Sequence, residues 1–388
     1  MQSPPPNRLV SLDAFRGFIM LLMASGGFGI SQMAKNHPGS FWQTIAPQFE
    51  HREWAGCAMW DLIQPAFMFM VGLAMAYSYA RRGAEGESFV KMLGHGMVRA
   101  VVLVLLAVLL ASKGKTQTEW VFTNVLGQIG LGYVFLLLLW RCGWEAQAAA
   151  FVVIVVGYWW WFLWHPVSGA DTVAAAAAKA AGSAGALPGF FAHWNIHTNA
   201  AADFDRWFLN LFPRASVFET QNGGYQTLNF IPSLATMLAG LVTGRFLRRS
   251  TDARFTCSRL VVAGVVLLLI GTIGGLLVCP IVKRIWTPSW VLFSGGWVLL
   301  MLSFFYWLVE IAGQKKLVFP LVVVGMNSIF IYLMHQLCAG WIKDTLKTHF
   351  GPAIFSGYWG PVLERSAVLF VLWLMCWWLY RQRVFLRI

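Results

Sequence analysis

The chain has 388 residues, 58% of them hydrophobic and 12% charged, with a mean hydropathy of +0.62; a soluble domain carries roughly 25% charged residues, so an ordinary water-soluble fold is excluded. The formal net charge of +13 could suit nucleic acid, but the Lys and Arg residues fall in short runs between apolar segments, the pattern of cytoplasmic membrane-protein loops, and no nucleic-acid partner is expected. The six cysteines, Cys57, Cys142, Cys257, Cys279, Cys338 and Cys376, are scattered without CxxC spacing, so neither a disulfide framework nor a metal centre is indicated.

An apolar run of about 20 residues crosses a bilayer as a helix, because lipid offers backbone amides no partner. Ten such stretches are predicted, at approximately 9–30, 60–80, 97–111, 121–140, 148–164, 226–245, 260–279, 289–311, 318–341 and 366–380. The fold class is therefore all-α: a polytopic membrane bundle of about ten transmembrane helices, with residues 1–388 forming one domain. Alternating the loops puts Arg8, Arg81, Arg82, Lys91, Arg99, Arg141, Arg245, Arg248, Arg249, Arg254, Arg259, Lys315, Lys316, Arg381, Arg383 and Arg387 on one face, which the positive-inside rule makes cytoplasmic together with both termini. The segments at 31–59, about 167–225 and 343–365 are then extracytoplasmic, in a multi-pass protein of the cell's inner membrane.

The first stretch carries Asp13 and Arg16, three apart and so on one helix face. Either charge alone at mid-membrane costs about 2.5 to 3.5 kcal/mol, which mutual pairing relieves; alternatively Arg16 could receive a phosphate or pantetheine group of a cofactor, or Asp13 could orient a second group across the bundle. At the outer mouth of the second stretch lies Glu50-His51-Arg52-Glu53-Trp54, then Trp60-Asp61. An imidazole takes up a proton at physiological pH, and Asp61 could hold it in the right tautomer. Further along, polar residues interrupt apolar runs: Gln128, Asn229, Asn327 and His335, which could also serve simply to join helices. Between Thr172 and Pro188 an alanine-rich stretch offers no chemistry and reads as a surface helix or a mobile loop. In Trp286-Thr287-Pro288-Ser289-Trp290, Thr287 fits a helix N-cap with Pro288 in the first turn. No Walker loop, HExxH or GxSxG element occurs in a credible context.

These motifs resemble the transmembrane heparan-alpha-glucosaminide N-acetyltransferases, whose lysosomal member acetylates terminal glucosamine of heparan sulfate with cytosolic acetyl-CoA. The resemblance rests on Arg8 to Gly17, on His51, Trp54, Gly56 and Asp61-Leu62, on Asn124-Val125-Leu126 with Tyr133, on Leu234-Ala235-Thr236 with Gly240, on Trp286 to Ser289, and on Gly325 to Ile329 with Tyr332 and His335. It implies His51 as the catalytic residue with Asp61 as its acidic neighbour. On this resemblance the lysosomal enzyme's large lumenal N-terminal domain is expected to be absent, and Gly27 aligns where that enzyme has an active-site Asn.

The resulting expectation is acetyl transfer from acetyl-CoA, with no metal, to an amino sugar or glycan acceptor. Asp13, Arg16, Asn229, Trp286, Ser289, Asn327, Arg248 and Arg249 are the candidates for holding the cofactor, and Glu50, Trp54 and His335 for holding the acceptor. Asn229, Asn327 or Trp286 would supply the oxyanion donor. A covalent acetyl-His51 intermediate stays open, as do an O-acetyltransferase acting on a surface glycan, an ion- or proton-coupled transporter built on Asp13, Arg16, Asp61 and His335, and a homodimer. Membrane lipid is the expected surrounding.

Overall fold

The computed structural model describes residues 9–167 and 187–386, and among them the regular secondary structure is helical, with one isolated bridge between Ala55 and Val282. Positions 172–186 of the alanine-rich stretch, together with Arg8 and Arg387, lie outside the described residues. The α-helices are α1 Val10–Ala24, α2 Ile30–Asn36, α3 Phe41–Ile45, α4 Ile63–Ala84, α5 Phe89–Ala111, α6 Val125–Trp140, α7 Trp144–Trp164, α8 Ala200–Phe208, α9 Phe230–Arg249, α10 Ala253–Leu277, α11 Pro288–Tyr306, α12 Phe319–Gly325, α13 Ser328–Phe350 and α14 Gly360–Arg381.

Each of the ten apolar stretches falls on such a helix or on a bent pair of them. Among the described residues, seven helical elements are long and apolar enough to span a bilayer, and nine if each bent pair is one span. The remaining one, α6, has 16 residues, or about 24 Å at the α-helical rise, short of the roughly 30 Å hydrocarbon core.

Two expected straight spans are broken. The first bends by 43° where Gly26, Gly27, Phe28 and Gly29 all adopt positive φ, a conformation that glycine accepts without steric strain. The ninth bends by 78° between α12 and α13, at the fully buried Asn327, whose amide donates to the Val384 carbonyl and accepts from the Leu386 N–H. Beyond that break α13 runs to Phe350, so the 343–365 segment expected as a loop begins as helix.

Caps set several helix starts. The Ser88, Asn124, Asn199 and Asp252 side chains each accept from backbone N–H groups in the first turn of α5, α6, α8 and α10. Thr287 caps α11 with Pro288 in the first turn, as its sequence predicts.

Burial separates an inner group from an outer one. The spanning windows of α4, α9 and α11 are 67%, 61% and 56% buried, whereas those of α5, α7, α10 and α14 are 28%, 17%, 17% and 22% buried. The outer helices turn Val, Leu, Ile and Trp side chains outward, which is unfavourable in water and suits lipid. Helices α4 and α9 meet through Gly72 and Gly240, and α1 meets α12 through Gly17 and Gly325. A methyl group on any of these four glycines would collide with a backbone carbonyl of the partner helix, the small-residue contact that lets membrane helices pack closely.

At one end of the bundle four segments knit together. Gly56 N–H donates to the Ile281 carbonyl at 2.8 Å, and Ala55 forms an antiparallel bridge with Val282. Trp54 Nε1 donates to the Trp194 carbonyl at 2.9 Å, and the Arg214 guanidinium reaches both Glu119 and the Trp120 carbonyl. Fully buried Asp205, on α8, accepts from Thr227 N–H ahead of α9 at 2.9 Å, fastening the 187–226 segment to the core.

Burial pushes the Asp205 carboxyl up to about 7 from its ordinary 3.8, against the Thr227 hydrogen bonds and the Arg214 charge that favour its ionised form. Folded protein thus retains a proton that the unfolded chain releases. The stabilisation is complete below about pH 3.8 and is lost as pH rises through about 7. The melting-temperature advantage of wild type over Asp205→Asn should therefore shrink steadily from pH 5 to pH 8; an advantage that does not vary over this window would contradict the assignment.

Candidate active site

The candidate centre is built from two turns at the knitted end. The first carries His51 and runs through Met59–Leu62 into α4, placing Asp61 at the head of a helix, where the exposed backbone N–H groups favour a negative charge. One carboxylate oxygen of Asp61 accepts from the Ala58 and Arg52 backbone N–H groups at 3.0 and 3.2 Å. Its other oxygen lies 2.8 Å from His51 Nδ1. Asp61 is 1% exposed, while the His51 side chain is 43% exposed.

The second turn links α10 to α11 and supplies Lys283, a residue the sequence reading passed over. Its ammonium lies 3.3 Å from the Asp61 oxygen that faces His51 and 3.0 Å from His51 Nδ1, and its side chain is 6% exposed. Thr287 shapes this turn by donating to the Pro280 carbonyl at 2.7 Å and accepting from Val282 N–H at 3.0 Å. Two hydrogens cannot share the Nδ1 contact. With Asp61 ionised, Nδ1 donates to the carboxylate, Lys283 donates to the same oxygen, and Nε2 keeps its lone pair.

His51 and Lys283 line a cavity of about 290 Å³ between α1, α4, α6 and α13. Met20 and Met23 come from α1, Gln64 and Phe67 from α4, Asn124 and Val125 from the start of α6, and Tyr332 and Gln336 from α13. His51 also borders a second, outward pocket of about 330 Å³ with Glu50, Arg52, Glu53 and Trp54. The imidazole thus lies between a space among the helices and a polar space at the surface. Neighbouring Cys57 offers no ready nucleophile: burial first, and then the Asp61 charge, push its thiol up to about 12.

Of the other expected site residues, Glu50 and Trp54 border the outer pocket with His51, and the rest lie outside both spaces. Asn229 donates to the Arg284 carbonyl at 2.7 Å, Trp286 Nε1 to Thr236 at 3.2 Å, and Ser289 to the Pro280 carbonyl at 2.8 Å. None of these, nor Asn327, lines the cavity. His335 is on α13, one residue from cavity-lining Gln336, and its Nδ1 is buried without a hydrogen-bond partner. Asp13 is buried, and Arg16 extends to the Gly325 carbonyl at 3.5 Å. Arg248 donates to the Ala76 carbonyl and, with Arg249, ends α9 away from His51. Gly27 abuts Phe49 and does not line the cavity either. Trp54 is almost fully buried, bordering the outer pocket while holding the Trp194 carbonyl.

Residues 8–180 match the family model described as heparan-alpha-glucosaminide N-acetyltransferase, catalytic. The chain is 24% identical to human heparan-alpha-glucosaminide N-acetyltransferase, over 99% of this chain and 60% of the relative. To the mouse protein of the same name it is 25% identical, over 85% of this chain and 54% of the relative. The chain therefore spans little more than half the length of these relatives. The comparisons return the family that the motifs resemble. His51 and Asp61 fall inside the matched region; Lys283 falls outside it.

Proposed function

We propose that this chain, a relative of the heparan-alpha-glucosaminide N-acetyltransferases, is a membrane-embedded enzyme that moves an acetyl group from acetyl-CoA to the amine of a glucosamine-type sugar. The observation that carries the reading is the contact of His51 Nδ1 with Asp61 at 2.8 Å, made where the ring borders both the cavity between the helices and the outer pocket.

In this scheme the thioester end of acetyl-CoA occupies the cavity, whose volume suits the acyl end of a cofactor better than its nucleotide. The acceptor enters from the outer pocket, where Glu50 and Glu53 attract a sugar ammonium, which gives up one proton to solvent there and attacks as the neutral amine. His51 Nε2 takes a proton from the amine as nitrogen attacks the thioester carbon. The tetrahedral adduct collapses with cleavage of the C–S bond, and the imidazolium returns that proton to the departing thiolate. Asp61 fixes the tautomer and balances the transient imidazolium, as a carboxylate does for a catalytic histidine elsewhere.

The same proposal makes the His51 end extracytoplasmic, the opposite end with both termini cytoplasmic, and the membrane the cell's inner one. The basic residues at that opposite end, Arg248 and Arg249 among them, would meet the phosphates of cytosolic acetyl-CoA, with Arg16 nearer mid-bundle. In a cysteine-free background, cysteine at Glu53 should react with a membrane-impermeant maleimide in intact cells, and cysteine at Lys315 only after permeabilisation. The reverse pattern would overturn the orientation.

The activity itself is tested with detergent-purified protein, acetyl-CoA and glucosamine. The expected result is release of free CoA thiol that requires the amine, with N-acetylglucosamine identified by mass spectrometry. If thiol is released only with a glycan that ends up carrying an ester-linked acetyl on a hydroxyl and not with glucosamine, or a substrate crosses proteoliposomes without acetyl-CoA, the N-acetyltransferase reading fails.

A further inference from the structure

We propose that Lys283 is a catalytic residue of this centre, its ammonium holding the oxyanion formed when the thioester carbonyl becomes tetrahedral. The inference rests on the acetyl-transfer reading above and adds to it the group that receives the developing negative charge.

Four observations lead there. First, Lys283 is the only Lys or Arg among the residues lining the cavity, and it stands 3.0 Å from the imidazole that borders the same space. Second, its three N–H donors are not all engaged. Asp61 accepts one, and His51 Nδ1 accepts none while its own hydrogen points to Asp61. The Tyr225 ring lies 5.9 Å away as a cation–π neighbour, which leaves donor capacity for a ligand oxygen.

Third, the neutral donors that the sequence offered are engaged with other groups. Asn229, Trp286 and Asn327 bond to the Arg284 carbonyl, Thr236 and the Val384 carbonyl. In the cavity wall, the Asn124 amide donates to the Ala107 carbonyl and the Gln64 amide to Gln128; the remaining neutral donors there, on Trp60, Thr123, Tyr225, Tyr332 and Gln336, carry no charge to set against an oxyanion. Fourth, the turn is rigidly built: the Ala55–Val282 bridge, the Gly56 to Ile281 hydrogen bond and the Thr287 cap fix the backbone on both sides of the lysine. A charge already fixed where the oxyanion will form needs no reorganisation during the reaction, which is the condition for large electrostatic stabilisation.

The step balances. The amine nitrogen forms its bond to the carbonyl carbon, and the carbonyl π pair moves onto oxygen, facing the Lys283 ammonium. His51 Nε2 accepts the amine proton. The oxygen pair then re-forms the carbonyl, the C–S pair leaves on sulfur, and His51 passes its proton to that thiolate. Lys283 donates hydrogen bonds throughout and keeps its protons.

The groups facing Lys283 are Asp61, His51, Cys57, Arg284 and Tyr225. Burial pushes its ammonium down to about 8 from 10.5, with Asp61 pulling the other way and Arg284 adding to the fall. The charged, active form is therefore present below about pH 8 and is lost above it.

The test compares wild type, Lys283→Met and Lys283→Arg by kcat, KM for acetyl-CoA and pH profile. Lys283→Met should lose about 10²- to 10³-fold in kcat with KM for acetyl-CoA little changed, the signature of an interaction made only in the transition state. Wild-type kcat should decline above about pH 8, and Lys283→Arg, which keeps its charge, should lack that decline. A merely structural lysine would not transfer the alkaline limb to its own titration.

If Lys283→Met turns over like wild type, or Lys283→Arg keeps the wild-type decline, the assignment falls. Should the Met variant not fold, the Arg profile alone decides. Either failure alongside an active wild type and an inactive His51→Ala leaves the acetyltransferase reading standing. A wild type that releases no CoA thiol overturns both.

Discussion

Replacing His51 with alanine should lower kcat for acetyl transfer by about 10²- to 10⁴-fold, the range over which a positioned general base contributes. The loss should appear in turnover and leave acetyl-CoA affinity nearly intact, because the ring closes one end of the cavity whereas side chains from four helices form most of its wall. A covalent route through acetyl-His51 predicts the same loss, so the two are separated by trapping. Wild type incubated with radiolabelled acetyl-CoA and no acceptor would carry label on the protein only in the covalent case.

Asp61→Asn should act in the same direction. It removes the charge that orders four donors, namely His51 Nδ1, the Lys283 ammonium and the backbone N–H groups of Arg52 and Ala58, and an amide there allows the wrong imidazole tautomer. An alanine variant at His51 with wild-type kcat would remove the imidazole from the mechanism altogether.

Substitution of Gly72 is expected to act on the fold. A leucine there meets the Met237 carbonyl on α9, and the reciprocal position Gly240 meets the Phe69 carbonyl on α4. These atoms are main chain, so no side-chain rotation relieves the collision. Even Gly72→Ala should destabilise by about 1 to 3 kcal/mol, the usual penalty of an overpacked core, and Gly72→Leu should yield no monodisperse protein in detergent by size-exclusion chromatography. The contact matters to function because α4 begins beside Asp61 and carries Gln64 and Phe67 into the cavity wall. A stable, monodisperse Gly72→Leu would show that α4 and α9 pack less closely than described.

Much of this was legible in the sequence, and the rest was hidden for identifiable reasons. The ten apolar stretches are visible because the bilayer demands continuous hydrophobic length, and every one falls on helix. The breaks at Gly26–Gly29 and at Asn327 were not visible, since hydropathy averages over a kink whose cause is backbone conformation in one case and a tertiary hydrogen bond in the other.

His51 and Asp61 could be paired on paper because ten residues separate them along the chain. Lys283 could not, since it reaches them across a separation of 232 and 222 positions. A signal did exist: Lys283 and Arg284 sit in an apolar turn, PIVKRIW, on the face that the proposed orientation makes extracytoplasmic, where positive charge should be sparse. Cations that violate the sidedness rule merit a functional reading. The intramembrane amides show the converse: Asn229 and Asn327 look available in a linear sequence, yet the amide nitrogen of each donates to a backbone carbonyl from a distant segment.

The most direct measurement is an experimental density map of the purified protein with a thioether analogue of acetyl-CoA bound. The account predicts that the analogue's carbonyl carbon enters the cavity between α1, α4, α6 and α13 with room for an amine nitrogen between it and His51 Nε2, that nitrogen within hydrogen-bond reach of the ring and about 3.5 Å from the carbon as in a near-attack geometry, and that the carbonyl oxygen turns toward Lys283. An analogue bound with that carbonyl outside the cavity, and His51 reaching only solvent, would contradict it.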